Sequence, residues 1–139
     1  MNGTISLSSM TKVTSDKTII GVGTAGRITG YVLNVNQANN VVIRNLTFTG
    51  SADDAINVQY STHAWIDHND LSNAYDGATD IKRASDYVTV SWNPQTGDSP
   101  EGNLRLADNY LTGSGTAESR NASRCRTCRT PTRRTRPRT

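Results

Sequence analysis

Short β-branched or aromatic runs recur along this chain at an almost constant spacing. Residues 18–21 read T-I-I-G, residues 41–44 V-V-I-R, residues 64–67 A-W-I-D and residues 88–91 V-T-V-S. Their starts stand 23, 23 and 24 positions apart. Each run is bounded by Asn, Asp, Ser or Gly, the pattern of a short strand closed by a turn. Asn34, Asn39, Asn40, Asn45, Asn69 and Asn93 fall at or near run ends, where asparagine tolerates the left-handed backbone and can hydrogen-bond along a stack. Helical 3.6-residue periodicity is hard to find. A repeat of this length with several strands in each predicts an all-β, parallel β-helix, in which each coil buries its inner face only by stacking on the next. Leucine-rich repeats share the period, but their recurring leucines are missing. A fifth run, L-R-L-A at residues 104–107, follows the fourth more closely than the others follow one another and predicts a shortened last coil. Four to five coils are expected in all.

Composition sharpens this picture. The chain has 139 residues, of which 34% are hydrophobic and 6% aromatic, so the core is thin or built by stacking. The net charge of +3 averages two unlike segments. Residues 1–116 hold 7 Lys/Arg and 11 Asp/Glu, whereas residues 117–139 hold 8 Arg and 1 Glu. The tail contains no Val, Ile, Leu, Met, Phe, Trp or Tyr and is expected to be disordered, leaving residues 1–116 as the β-helix domain. Two readings of the tail are a basic arm for polyanions and the product of a frameshifted reading; the second is preferred, and the start at Met1 inside the pattern suggests a fragment. No run of 18 apolar residues exists and no signal peptide is visible. Cys125 and Cys128 form one C-x-x-C in the tail, which without a second pair is read as incidental.

Chemistry concentrates in residues 64–82, A-W-I-D-H-N-D-L-S-N-A-Y-D-G-A-T-D-I-K, with four aspartates, a histidine and a lysine. Carboxylates from neighbouring coils can jointly supply the six to eight oxygens that calcium takes. Asp76 and Asp80 cannot share an ion on one straight strand, since four residues at about 3.3 Å each separate them by about 13 Å. A turn at Gly77 would shorten that gap. The residues alone also allow these aspartates to be strand-end caps, and the two readings stay open on this ground. His68 is read as a structural residue, Trp65 and Trp92 as core packing rather than sugar-stacking faces, and Lys82 as either a solvated lysine or a partner for a carboxylate.

The order V-V-I-R-N-L-T-F, D-D-A-I, A-W-I-D-H, Y-D-G-A-T-D-I-K and S-D-Y-V-T-V-S-W-N resembles the pectate lyases of polysaccharide lyase family 1. K-T-I-I-G-V-G at residues 17–23 is similar to an early coil of that family, and the resemblance covers about residues 5–93. It implies a secreted, right-handed parallel β-helix that cleaves polygalacturonate by calcium-dependent β-elimination. It further implies calcium carboxylates at Asp54, Asp76 and Asp80, with Asp53 as an additional ligand, and a mainly structural Asp67–His68 pair. As a cation beside such a calcium site, Lys82 is the candidate for binding a uronate carboxylate. After Asn93 the resemblance fails: N-P-Q-T-G-D-S-P-E-G-N-L-R-L carries neither the family's histidine- and aspartate-rich stretch nor its substrate-binding lysine. R-x-P-x-x-R, whose first arginine removes the C5 proton, is also missing. Its nearest echo is S-R-N-A-S-R-C-R at residues 119–126, which makes Arg120 the candidate base. The expected partner is pectin, with no nucleic acid or membrane, and the protein is expected to act as a monomer. The alternative is a non-catalytic, calcium-dependent pectin-binding module.

Overall fold

A computed structural model describes residues 1–96 and the strand at residues 104–106. The four regularly spaced runs all fall in one parallel sheet. Its strands are β3 (Lys17–Ile20), β6 (Asn39–Arg44), β9 (Thr62–Asp67) and β12 (Asp86–Ser91), in the order β12-β9-β6-β3. Two further parallel sheets complete each coil. One runs β1 (Gly3–Ser6), β4 (Gly26–Gly30), β7 (Thr47–Ser51), β10 (Asp70–Ser72) and β13 (Gln95–Thr96). The other runs β2 (Thr11–Val13), β5 (Leu33–Asn36), β8 (Ile56–Gln59), β11 (Thr79–Lys82) and β14 (Leu104–Leu106). Every pairing joins a strand to its counterpart one coil away, so the chain is a parallel β-helix of four three-strand coils and two strands of a fifth.

Two details of the repeat differ from expectation. Val41 pairs with Lys17, not Thr18, so the first interval is one position longer than the matched runs suggest. The later intervals, from Val41 to Ala64 and on to Val88, stand as read. The run at 104–107 does not continue the column of β12 and makes no short coil. Leu104 pairs with Thr79 on β11, so it opens the second strand of its coil rather than the third. The sequence pattern did not distinguish the sheets, because each presents the same short β-branched strand.

The core is a set of ladders. Val41 and Ile43 stack on Ala64 and Ile66, Leu33 and Val35 on Ile56 and Val58, and Ile28 on Phe48, which in turn stacks on Leu71, all buried. Burying one such isoleucine or phenylalanine stabilises by about 1.5–3 kcal/mol. The corners repeat as strictly as the strands. Asp16, Asn40, His63 and Tyr87 form one column of left-handed residues, and Asn45, His68 and Trp92 another. Asparagine and aspartate fit that conformation through local hydrogen bonds, whereas the aromatic members are held by stacking, as His63 on Tyr87 at 4.8 Å between ring centroids. Inside the third corner, buried Asn69 accepts from Leu46 N at 3.1 Å and donates Nδ2 to Ile43 O at 3.0 Å, and Asn93 repeats the device one coil on. Among the described residues no helix is long and apolar enough to cross a membrane.

Candidate cation and substrate site

Two consecutive corners converge beside the sheet of β5, β8 and β11. The corner between β7 and β8 carries Asp53 and Asp54, and the one between β10 and β11 carries Asp76. Backbone bonds hold them together: Tyr75 N donates to Ser51 O at 3.0 Å, Ala55 N to Gly77 O at 3.1 Å, and Ile56 N to Ala78 O at 3.1 Å. Ser51 Oγ donates to Asp54 O at 2.6 Å and fixes the first corner internally. The left-handed residue of the second corner is Asn73, with φ 52°, and Gly77 serves as a hydrogen-bond acceptor for the neighbouring coil.

Asp53, Asp54 and Asp76 each place one carboxylate oxygen within 4.8 Å of the others. That is about twice the 2.3–2.6 Å calcium–oxygen distance, a spacing that small side-chain shifts would let one ion share. Asp53, read from the sequence only as an addition, therefore stands in the tightest group. Asp80 lies on β11 itself, buried, with Oδ2 accepting from Lys82 Nζ. Its Oδ1 is buried and lacks a hydrogen-bond partner. Burial foremost, then the charges of Asp80, Asp53 and Asp76, push the Asp54 carboxyl up to about 7, with Lys82 opposing. A carboxyl so raised stays protonated well above the usual carboxylate range unless a cation offsets the burial and the neighbouring charges. The donor set, all oxygen, with one buried orphan, fits a hard divalent ion.

The structure thus brings Asp53, Asp54, Asp76, Asp80 and Lys82 to one flank of the coil stack. Arg120 lies outside the described residues, as do Cys125, Cys128 and the whole segment 117–139. The register of β14 sets Arg105 opposite Asp80, an arginine position that reading the 104–107 run into the wrong sheet concealed.

Asp67 and His68 lie on a different face. Asp67 is buried between three coils, accepting from Ser91 Oγ at 2.5 Å and forming an ion pair with Arg44 Nε at 3.0 Å, with His68 Nδ1 at 2.7 Å. Desolvation raises its carboxyl, but Ser91, His68 and Arg44 outweigh that and hold it below the usual carboxylate range. The tryptophans are not core residues: Trp65 is 41% and Trp92 76% exposed. Ala64 and Ile66 take the inward positions, so Trp65 between them points out, under the Arg44 guanidinium at 5.4 Å. Trp92 occupies a corner and stacks on His68.

Fold and site together define a parallel β-helix protein with a carboxylate cluster on one flank. The chain belongs to the pectate lyase family, whose model matches residues 3–98. It is 48% identical over 92 residues to the pectate trisaccharide-lyase of Thermotoga maritima, covering 58% of this chain and 25% of that protein. The enzyme of the same name from Bacillus licheniformis is 38% identical over 110 residues, 67% of this chain and 32% of the relative. The probable pectate lyase A of Aspergillus flavus is 37% identical over 138 residues, 80% and 43% respectively. The chain therefore spans about a quarter to two fifths of the length of these relatives. Among solved structures, the major cedar pollen allergen jun a 1 superposes with a TM-score of 0.64 at 24% identity, over 86% of this chain and 45% of that one. A pectate lyase described for its anti β-elimination mechanism gives 0.55 at 22%, over 73% and 38%. Both support the β-helix fold.

Proposed function

We propose that this chain carries the cation half of a pectate lyase site and acts on polygalacturonate by calcium-dependent β-elimination, in an extracellular setting. The observation that carries the reading is the convergence of Asp53, Asp54 and Asp76 beside the Asp80–Lys82 pair, in a member of this family. Asp54, Asp76 and Asp80 would hold calcium, with Asp53 joining them. Bound there, calcium would neutralise a uronate carboxylate and acidify the neighbouring C5 hydrogen. Lys82 binds a uronate carboxylate once it releases Asp80, because an ammonium beside a cation site serves anions equally well. The four carboxylates exclude an anionic chain until they are neutralised, which makes substrate binding follow cation binding. The base that takes the C5 proton is assigned to Arg120, with Arg105, in register with Asp80, as the second arginine to test. Loss of that proton moves its electron pair into the C4–C5 bond and expels O4, leaving a 4,5-unsaturated end. Arginine is ordinarily protonated below about pH 12, so this step needs its deprotonated form.

The test is ultraviolet absorbance of unsaturated product from polygalacturonate, with calcium and with chelator. Absorbance that rises only with calcium supports the lyase. Calcium-dependent binding without product would make the chain a pectin-binding module, and neither signal would reject both readings.

A further inference from the structure

The side chains described so far leave two oxygens unaccounted for. Asn57 on β8 and Asp80 on β11 are register partners on adjacent parallel strands, 3% and 1% exposed. Asn57 Nδ2 donates to Asp54 Oδ2 at 3.3 Å, and Asp80 Oδ2 accepts from Lys82. The remaining oxygen of each, Asn57 Oδ1 and Asp80 Oδ1, is buried without a hydrogen-bond partner. Only two other described side-chain oxygens share that condition. Thr79 Oγ1 belongs to a residue paired with core Ile56, and Asn36 Oδ1 lies at the end of β5. Two buried acceptors on register partners, with no donor for either, are costly unless a positive group satisfies them.

We propose that the side-chain carbonyl of Asn57 is a direct ligand of the divalent cation, a role that rests on the calcium reading of this site. Adjacent strands stand about 4.8 Å apart, close to twice a calcium–oxygen distance, so an ion on Asp80 Oδ1 is within reach of its strand neighbour. Calcium accepts amide carbonyls as readily as carboxylates. A neutral oxygen also fills the shell without adding to the repulsion among four aspartates. The amide then has both ends engaged: its NH2 holds one oxygen of Asp54, and its carbonyl faces the ion. Asn34 holds the same column one coil earlier, so an asparagine at this register position is not in itself a signal; the orphaned carbonyl of Asn57, on the strand next to the orphaned oxygen of Asp80, is.

The experiment compares wild type, Asn57→Ala and Asn57→Asp by calcium titration calorimetry and by terbium luminescence lifetimes in H2O and D2O, which count the waters on the bound ion. Circular dichroism monitors folding. Asn57→Ala is expected to leave one more water on terbium. Its calcium affinity should fall at least about tenfold, the scale on which even indirect partners of a metal act. Asn57→Asp keeps an oxygen but no donor, and is expected to keep the wild-type hydration and bind calcium at least as tightly. Unchanged hydration and affinity in Asn57→Ala would overturn the ligand role while leaving the calcium site standing. If that variant does not fold, weakened binding in Asn57→Asp overturns the role, since a donor that merely orients Asp54 predicts that result. A wild type that binds no calcium would overturn the site and this inference together.

Discussion

Asp54 is the residue on which the chemistry of the proposed site turns. Without a cation its carboxyl in the folded state titrates at about 7, against 3.8 for an ordinary aspartate. Between these values the folded state keeps a proton that the unfolded chain has lost. The group's stabilisation is therefore fully present below the unfolded pKa and is lost as pH rises through the folded one. Thermal melts in chelator are expected to show this decline between about pH 4 and pH 7, and Asp54→Asn to flatten it. The calcium-induced rise in melting temperature should grow over the same window, because the ion must displace the proton. The Asp80–Lys82 pair supplies a second prediction. Asp80→Ala removes an anionic ligand and is expected to abolish the calcium shift, which at 100 times the dissociation constant amounts to about 2.7 kcal/mol. Lys82→Ala should act oppositely on the ion, tightening calcium binding by removing a competing cation, while weakening polygalacturonate binding. Calorimetry with each ligand checks both. The three candidate calcium aspartates stand out in the sequence through the family pattern, and Lys82 as a cation beside them, but Asn57 does not. Its signal is positional: an asparagine between inward Ile56 and Val58, recognisable only once the register sets it beside Asp80.

At the scale of the element, the strand-and-corner unit explains what could be read and what could not. The β3, β6, β9 and β12 runs are plain because each is a short hydrophobic run closed by polar turn residues. The shorter strands β10 and β13 carry too few residues for any pattern. Strand parity, applied to A-W-I-D, places Trp65 outward; size and hydrophobicity alone placed it wrongly in the core. The corner asparagines stood out in the sequence, yet their value comes from contacts one coil away. Asn69 satisfies Leu46 N and Ile43 O and meets Asn93 Oδ1 at 3.0 Å. Asn69→Ala would leave buried backbone groups unpaired and is expected to cost about 2–3 kcal/mol. Chemical denaturation should show a lower midpoint with an unchanged slope.

At the scale of the molecule, stability spreads along the stack by nearest-neighbour contacts. The first coil is largely exposed, with Val13 the buried apolar residue on its strands, while the third and fourth coils carry the acidic corners. In the proposed site calcium joins those two coils directly. Amide hydrogen exchange is expected to slow on adding calcium in β8 and β11, with little change in β1 to β3; uniform slowing would argue against a local bridge. The repeat that makes the stack also creates a hazard while it assembles. A strand that skips a coil still lays β-branched residues on β-branched residues, so misthreading loses little apolar contact. The clamp around Asp67 is what such an error cannot reproduce. If β12 docked on β6, Ser91 would face Arg44 with no carboxylate between them, and Asp67 would be cast out with the omitted coil. Only the correct order sets the anion between the guanidinium and the hydroxyl. Asp67 thus joins three successive coils through contacts that only the correct threading order satisfies.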